Sequence, residues 1–153
     1  YTIPSIALFV LMPLILGTSI ISPVNVLVAL TIYTMALMVR SGVDAFNAVP
    51  EHVVESSRAL GYTPARAFFT VELPLALPVL FAGIRVATVA NIAMVSVGAV
   101  IGVSSLGTLF TDGLARSIPA ELITGVVLSA VLAYLADALL ALTARRLTAW
   151  RTA

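Results

Sequence analysis

The chain has 153 residues, of which 61% are hydrophobic and 10% charged, with a formal net charge of +1. Soluble domains average about 45–50% apolar and about 25% charged residues, so these charges are too few to coat a water-facing surface, and lipid must replace water over much of it. The near-neutral charge carries no footprint for nucleic acid, the lack of Cys excludes disulfides, iron–sulfur clusters and thiolate zinc sites, and a single His (His52) makes a histidine metal site or a serine-protease triad hard to assemble.

In chain order, the first element is an apolar run over residues 3–21 that contains Pro13 and Gly17. Neither a Met nor a basic region precedes it at Tyr1, and no small-residue cleavage site follows. The expectation is therefore an internal, N-terminally truncated start with an upstream helix missing, rather than a signal peptide. A second apolar run covers residues 24–39, a third 75–101 and a fourth 118–144. A membrane helix needs roughly 20 residues to cross about 30 Å of hydrocarbon, and the last two runs exceed that with tilt to spare. The fold class is all-α: one polytopic transmembrane domain over residues 1–153, with a single polar loop at residues 40–74.

All eight basic residues are Arg, a compositional bias with no function attached. Their placement orients the chain. Arg40, Arg58 and Arg66 lie in the central loop and Arg145, Arg146 and Arg151 in the tail, while Arg116 stands alone between the third and fourth runs. Excess Lys/Arg marks the cytoplasmic face, so loop and C-terminus are expected inside and residues 102–117 outside. Two spans separate loop from tail, as that topology requires. Trp150, beside Arg146 and Arg151, is read as an interfacial anchor.

Punctuation in the loop is clear. Pro50 suits the first position of a helix and Gly61 the position just past its end, at positive φ. Between them, 100° per residue puts Glu51, Glu55 and Arg58 on one stripe and Val53, Val54, Ser57 and Leu60 on the other. Thr63 can cap and Pro64 can start a second short helix to about Val71, after which Pro74 opens the third span. Glu55-Ser56-Ser57, three residues, Gly61, nine residues and Val71-Glu72-Leu73-Pro74 resemble the EAA loop of ABC importer permeases. That family pattern is E-A-A, three residues, G, nine residues, I-x-L-P. Two serines replace the alanines but remain small.

The resemblance implies a coupling helix seated in a groove of an ATP-binding subunit, with Glu55, Ser56, Ser57, Gly61, Leu73 and Pro74 as its coupling residues. Glu55 either meets a basic group on that partner or pairs with Arg58 at i+3; His52 is read as a surface residue of the same helix. Thr2-Ile3-Pro4-Ser5, Glu72 to Pro78, Ala82-Gly83-Ile84-Arg85, and Ile101-Gly102 followed by Leu106-Gly107 are similar to the osmoprotectant permeases for glycine betaine, carnitine and choline. The implied fold is the type I, methionine-importer-like transmembrane domain. The implied partners are an ABC ATPase, a second permease copy, homo- or heterodimeric, an extracytoplasmic substrate-binding protein and the bacterial cytoplasmic membrane. No cofactor is implied. Ser104 and Ser105 depart from the glycines usual before the Leu-Gly pair, which weakens substrate detail near the outer mouth. Alternatives are a permease for another small solute such as an amino acid, or a small multipass channel or assembly protein.

Within the spans, Asn91 and Ser96 either line a pathway or bond a neighbouring helix; Thr31, Tyr33 and Thr34 can do either too. Ser104 and Ser105 join Asn91 and Ser96 as pathway candidates. Gly98 and Gly102 have GxxxG spacing, read as helix packing. Arg85 lies about 15 Å into the third span and Asp137 about 13 Å into the fourth, counted from the cytoplasmic side at 1.5 Å per residue. They either form an intramembrane ion pair or reach water separately. No carboxylate pair, nucleophile–base set or phosphate-binding glycine loop is present, so no catalysis is expected of the chain itself.

Overall fold

The computed structural model describes residues 5–148. Thr2-Ile3-Pro4, the start of one motif, and the anchor candidates Trp150 and Arg151 lie outside the described residues. Among the described residues, all regular structure is helical: α1 (Ser5–Leu16), α2 (Pro23–Asn47), α3 (Glu51–Ala59), α4 (Pro64–Ala67), α5 (Leu73–Val97), α6 (Thr108–Ala115) and α7 (Pro119–Leu147). Three stretches are long and apolar enough to cross a membrane: Pro23–Asn47, Pro64–Ile101 and Pro119–Leu147. α5 is the central helix, with α2 and α7 packed on it; α1 packs on α2 and α6 on α7.

Three expected boundaries move. α1 stops at Leu16 because Gly17 turns left-handed at φ +65°, and residues 17–22 form a tight corner instead of further helix. Fully buried Asn25 pins that corner: its Nδ2 donates to Ser19 O at 2.8 Å and its Oδ1 accepts from the Thr18 hydroxyl. α2 runs through Asn47, well into the stretch expected as loop, because no breaker intervenes before Pro50, and the Arg40–Asp44 pair at 3.6 Å supports the extension at i,i+4. Pro50 itself is the N-cap, and the helix begins one residue later at Glu51.

The largest difference lies at Pro74. It is the second residue of α5, as expected, but no break precedes it: the backbone stays helical over 38 residues, Pro64–Ile101. Pro74 offers no N–H to the carbonyl four residues back, so an unaltered α-ladder cannot pass it. A π-turn at Phe68–Glu72, with Leu73 N–H donating to Phe68 O, widens the helix just before this point. The short second helix of the loop and the third span are thereby one mechanical body.

Gly102 differs as well. The helix ends there at φ +86°, with Gly102 N–H donating to Ala99 O (3.0 Å) and Val103 N–H to Gly98 O (3.1 Å). Gly98 alone serves packing, since a Cβ there would stand 3.3 Å from Val26. The described core is small and lies at this end: Phe9, Met12, Val26, Ala29, Leu30 and Val103. Elsewhere large apolar side chains are open, among them Leu14 (80% exposed) and Leu139 (64%). Such surface fits a lipid or subunit environment.

Candidate coupling loop and intramembrane polar sites

The loop is built from its caps. Glu51 lies in the first turn of α3 and Arg58 in the last, each with the sign that suits the helix dipole. At the C-terminus Gly61 N–H donates to Arg58 O (2.9 Å) and Tyr62 N–H to Ser57 O (3.2 Å), closing a Schellman motif with Gly61 at φ +83°. A Cβ on Gly61 would meet nothing within 4 Å. Glycine is therefore demanded by backbone conformation and not by space. Thr63 caps α4 by accepting from Arg66 N–H at 3.4 Å, and the Arg66 guanidinium lies 4.5 Å over the Tyr62 ring.

α3 packs back against α4 and the π-turn. Phe46 near the C-terminal end of α2 stacks on Phe68 at 5.5 Å, joining the loop to two spans. Of the residues expected to couple, Glu55, Ser56 and Gly61 are exposed, while Ser57 is 5% exposed and faces the chain's own interior, its hydroxyl donating to Val54 O. His52 is exposed beside them. Leu60 departs from the expected stripe: as the C-cap it turns outward, 77% exposed. Leu73 and Pro74 are half-buried at the start of α5, away from the α3 turn in sequence. Among the described residues, ion pairs within 4 Å occur only at Arg40–Asp44 and Arg85–Asp137, so Glu55 is not tied to Arg58.

Arg85 and Asp137 meet between α5 and α7. Nε donates to Oδ1 at 2.7 Å and Nη2 to Oδ2 at 2.6 Å, a bidentate fork. Their side chains are 40% and 31% exposed and border a recess of about 510 Å³ with Ala82, Val86, Val89 and Ala90.

Asn91 Nδ2 donates to Thr34 Oγ1 at 2.7 Å, linking α5 to α2. Ser96 bonds weakly to its own helix at Ile92 O (3.4 Å). Ser105 Oγ donates to Val95 O (3.2 Å) and accepts from Gly107 N–H (3.2 Å), holding the turn after Gly102 onto α5. Ser104 is exposed. The four serine and asparagine candidates are thus not one site.

Sequence reasoning missed four features. One is Asn25, whose signal was a lone carboxamide at the start of an apolar run. Two are close approaches at glycine: a Cβ on Gly107 would lie 2.0 Å from Ser96 O, and one on Gly83 would lie 2.6 Å from Ser41. The short α6 was also unforeseen; it folds back on α7, where Gly125 admits Leu109 and Phe110.

Known proteins share this architecture. The chain matches the binding-protein-dependent transport system inner membrane component family over residues 1–149. It is 40% identical over 142 residues to the osmoprotectant import permease protein OsmW of Salmonella typhimurium, covering 91% of this chain and 66% of that one. It is 35% identical over 147 residues to the choline transport system permease protein OpuBB of Bacillus subtilis, covering 96% and 66%. A permease/binding protein named for ergothioneine, EgtU of Helicobacter pylori, is 36% identical over 137 residues, covering 90% of this chain and 24% of that one. The chain therefore spans between a quarter and two thirds of the length of these relatives. Among solved structures, an inward-facing form of the MetNI methionine ABC transporter superposes with a TM-score of 0.83 at 28% identity, covering 96% of this chain and 70% of that one. An all-helical transmembrane fold of the type I importer kind, carrying a capped helical loop between its spans and matched across 149 of its 153 residues, assigns this chain to the binding-protein-dependent transport system inner membrane component family.

Proposed function

We propose that the chain supplies one transmembrane half of an ATP-driven importer for osmoprotectants such as glycine betaine, carnitine or choline. The observation that carries this reading is the loop. A Schellman-capped helix presents Glu51, Glu55, Ser56 and Gly61 outward, and its return strut, α4, is continuous with a membrane-spanning helix. Motion imposed on α3 by a partner reaches the span through α4 and the π-turn without crossing a loose joint. The ATPase subunit docks on that outward face. Glu55, in no ion pair among the described residues, is available to a basic group there, Ser56 and Gly61 permit close approach, and Ser57, Leu73 and Pro74 hold the loop to the span. A second permease copy completes the pathway and an extracytoplasmic binding protein delivers the solute. Loop and C-terminus face the cytoplasm, as the Arg placement supports. Hydrolysis belongs to the ATPase.

The solute class rests on the relatives named for osmoprotectants and choline. A different small solute, such as an amino acid, is the second reading, favoured by the relative named for ergothioneine and the structure named for methionine. Reconstitution of the full-length permease with its ATPase and binding protein decides between them. ATP-dependent uptake of radiolabelled glycine betaine or choline is expected. Uptake of methionine or ergothioneine, with neither osmoprotectant accumulated, would replace the first reading by the second.

A further inference from the structure

The α2–α5 seam holds a recess of about 380 Å³ bordered by Leu27, Thr31, Thr34, Met35, Met38 and Asn91. That is small-molecule size. Thr34 lies eleven residues from the start of α2 and Asn91 ten residues from Ile101, about 15–16 Å from the outer helix ends and close to mid-bilayer. Solute sites in secondary transporters sit near that depth.

The polar groups here behave unequally. Thr31 and Thr34 return their hydroxyl protons to the carbonyls of Leu27 and Leu30, both at 2.7 Å, so either tolerates lipid. Asn91 does not close on itself. One N–H of its Nδ2 goes to Thr34, and among the described residues neither its second N–H nor its Oδ1 has a hydrogen-bond partner. An amide oxygen left bare in hydrocarbon is costly, because it loses its bonds to water and gains none in return. Water or a solute group is the partner that relieves it.

We propose that this recess is the solute-facing wall of the chain's half of the pathway, and that it takes the methylated ammonium group. The solute class rests on the function proposed above. The wall offers amide and hydroxyl oxygens and two polarizable thioethers, Met35 and Met38, with no formal charge among its lining residues. Partial negative charge attracts a trimethylammonium group, and the missing carboxylate keeps the attraction weak enough for release, the compromise that conduction demands. The Arg85–Asp137 charges stay off this wall: Arg85 and Asn91, six residues apart, point about 120° apart around the helix, and Arg85 is spent on α7.

These 153 residues hold no Cys, and any Cys elsewhere in the complex is replaced by Ser so that single cysteines report cleanly. The full-length permease, assembled with its ATPase and binding protein in vesicles, is made as Thr31→Cys, as Met35→Cys and, for comparison, as Leu139→Cys on the open apolar face of α7. The probe is trimethylammonium-ethyl methanethiosulfonate, which is membrane-impermeant and carries the proposed ligand group. Both recess positions should react at least tenfold faster than Leu139→Cys, and glycine betaine with ATP should slow them several-fold. Labelling no faster than at Leu139→Cys in an assembled complex overturns the proposal, because lipid or the second copy then covers the recess. Fast labelling that neither glycine betaine nor choline slows, in a complex that accumulates them, overturns it equally. If the Cys-free parent accumulates neither solute, the osmoprotectant reading falls, and with it the ammonium assignment.

Discussion

Arg85 and Asp137 each occupy a position where a lone charge costs about 2.5–3.5 kcal/mol on insertion scales. Their bidentate contact joins the central helix to α7. Removing one partner leaves the other uncompensated, which is costlier than removing both. Arg85→Leu and Asp137→Leu should therefore each lower the yield of assembled complex several-fold, and the double substitution should recover much of it. The check is folded complex measured by size-exclusion chromatography. Additive losses would mean that the two charges act independently despite their contact. Antiparallel depth counting put the two charges at similar depth and left open whether they pair. Asn25 was not legible, because its partners Thr18 and Ser19 come from a corner that hydropathy assigned to a continuing helix.

The helical elements follow from chemistry that sequence displays well: apolar length for the spans, glycine and proline for the caps. Gly61 at positive φ, Thr63 as N-cap and Pro64 at the first helical position were all readable. The failures share a cause. Pro74 and Gly102 were assigned by their usual local roles, but a π-turn carries one inside a helix, and the other ends a helix where packing was expected. Close approaches such as Gly107 to Ser96 are tertiary and leave no local trace. Element orientation yields a direct prediction. A Cys at exposed Ser56 should react with impermeant thiol reagents only from the cytoplasmic side, and a Cys at Leu114 (74% exposed, in α6) only from outside. The reverse pattern would invert the topology.

At the scale of the whole molecule, one continuous helix ties the exposed loop to the bilayer, and Gly61 sets the angle at which α3 leaves it. The coupling claim is tested most directly by Gly61→Val beside Gly61→Asn, with solute uptake and ATP hydrolysis measured in the same proteoliposomes of the full complex. A β-branched residue at φ +83° strains the backbone by about 1–3 kcal/mol, whereas Asn tolerates that region better. Gly61→Val should assemble, hydrolyse ATP and lose at least tenfold in solute moved per ATP, and Gly61→Asn should retain most of the wild-type ratio. Assembled Gly61→Val that transports with the wild-type ratio would contradict the account.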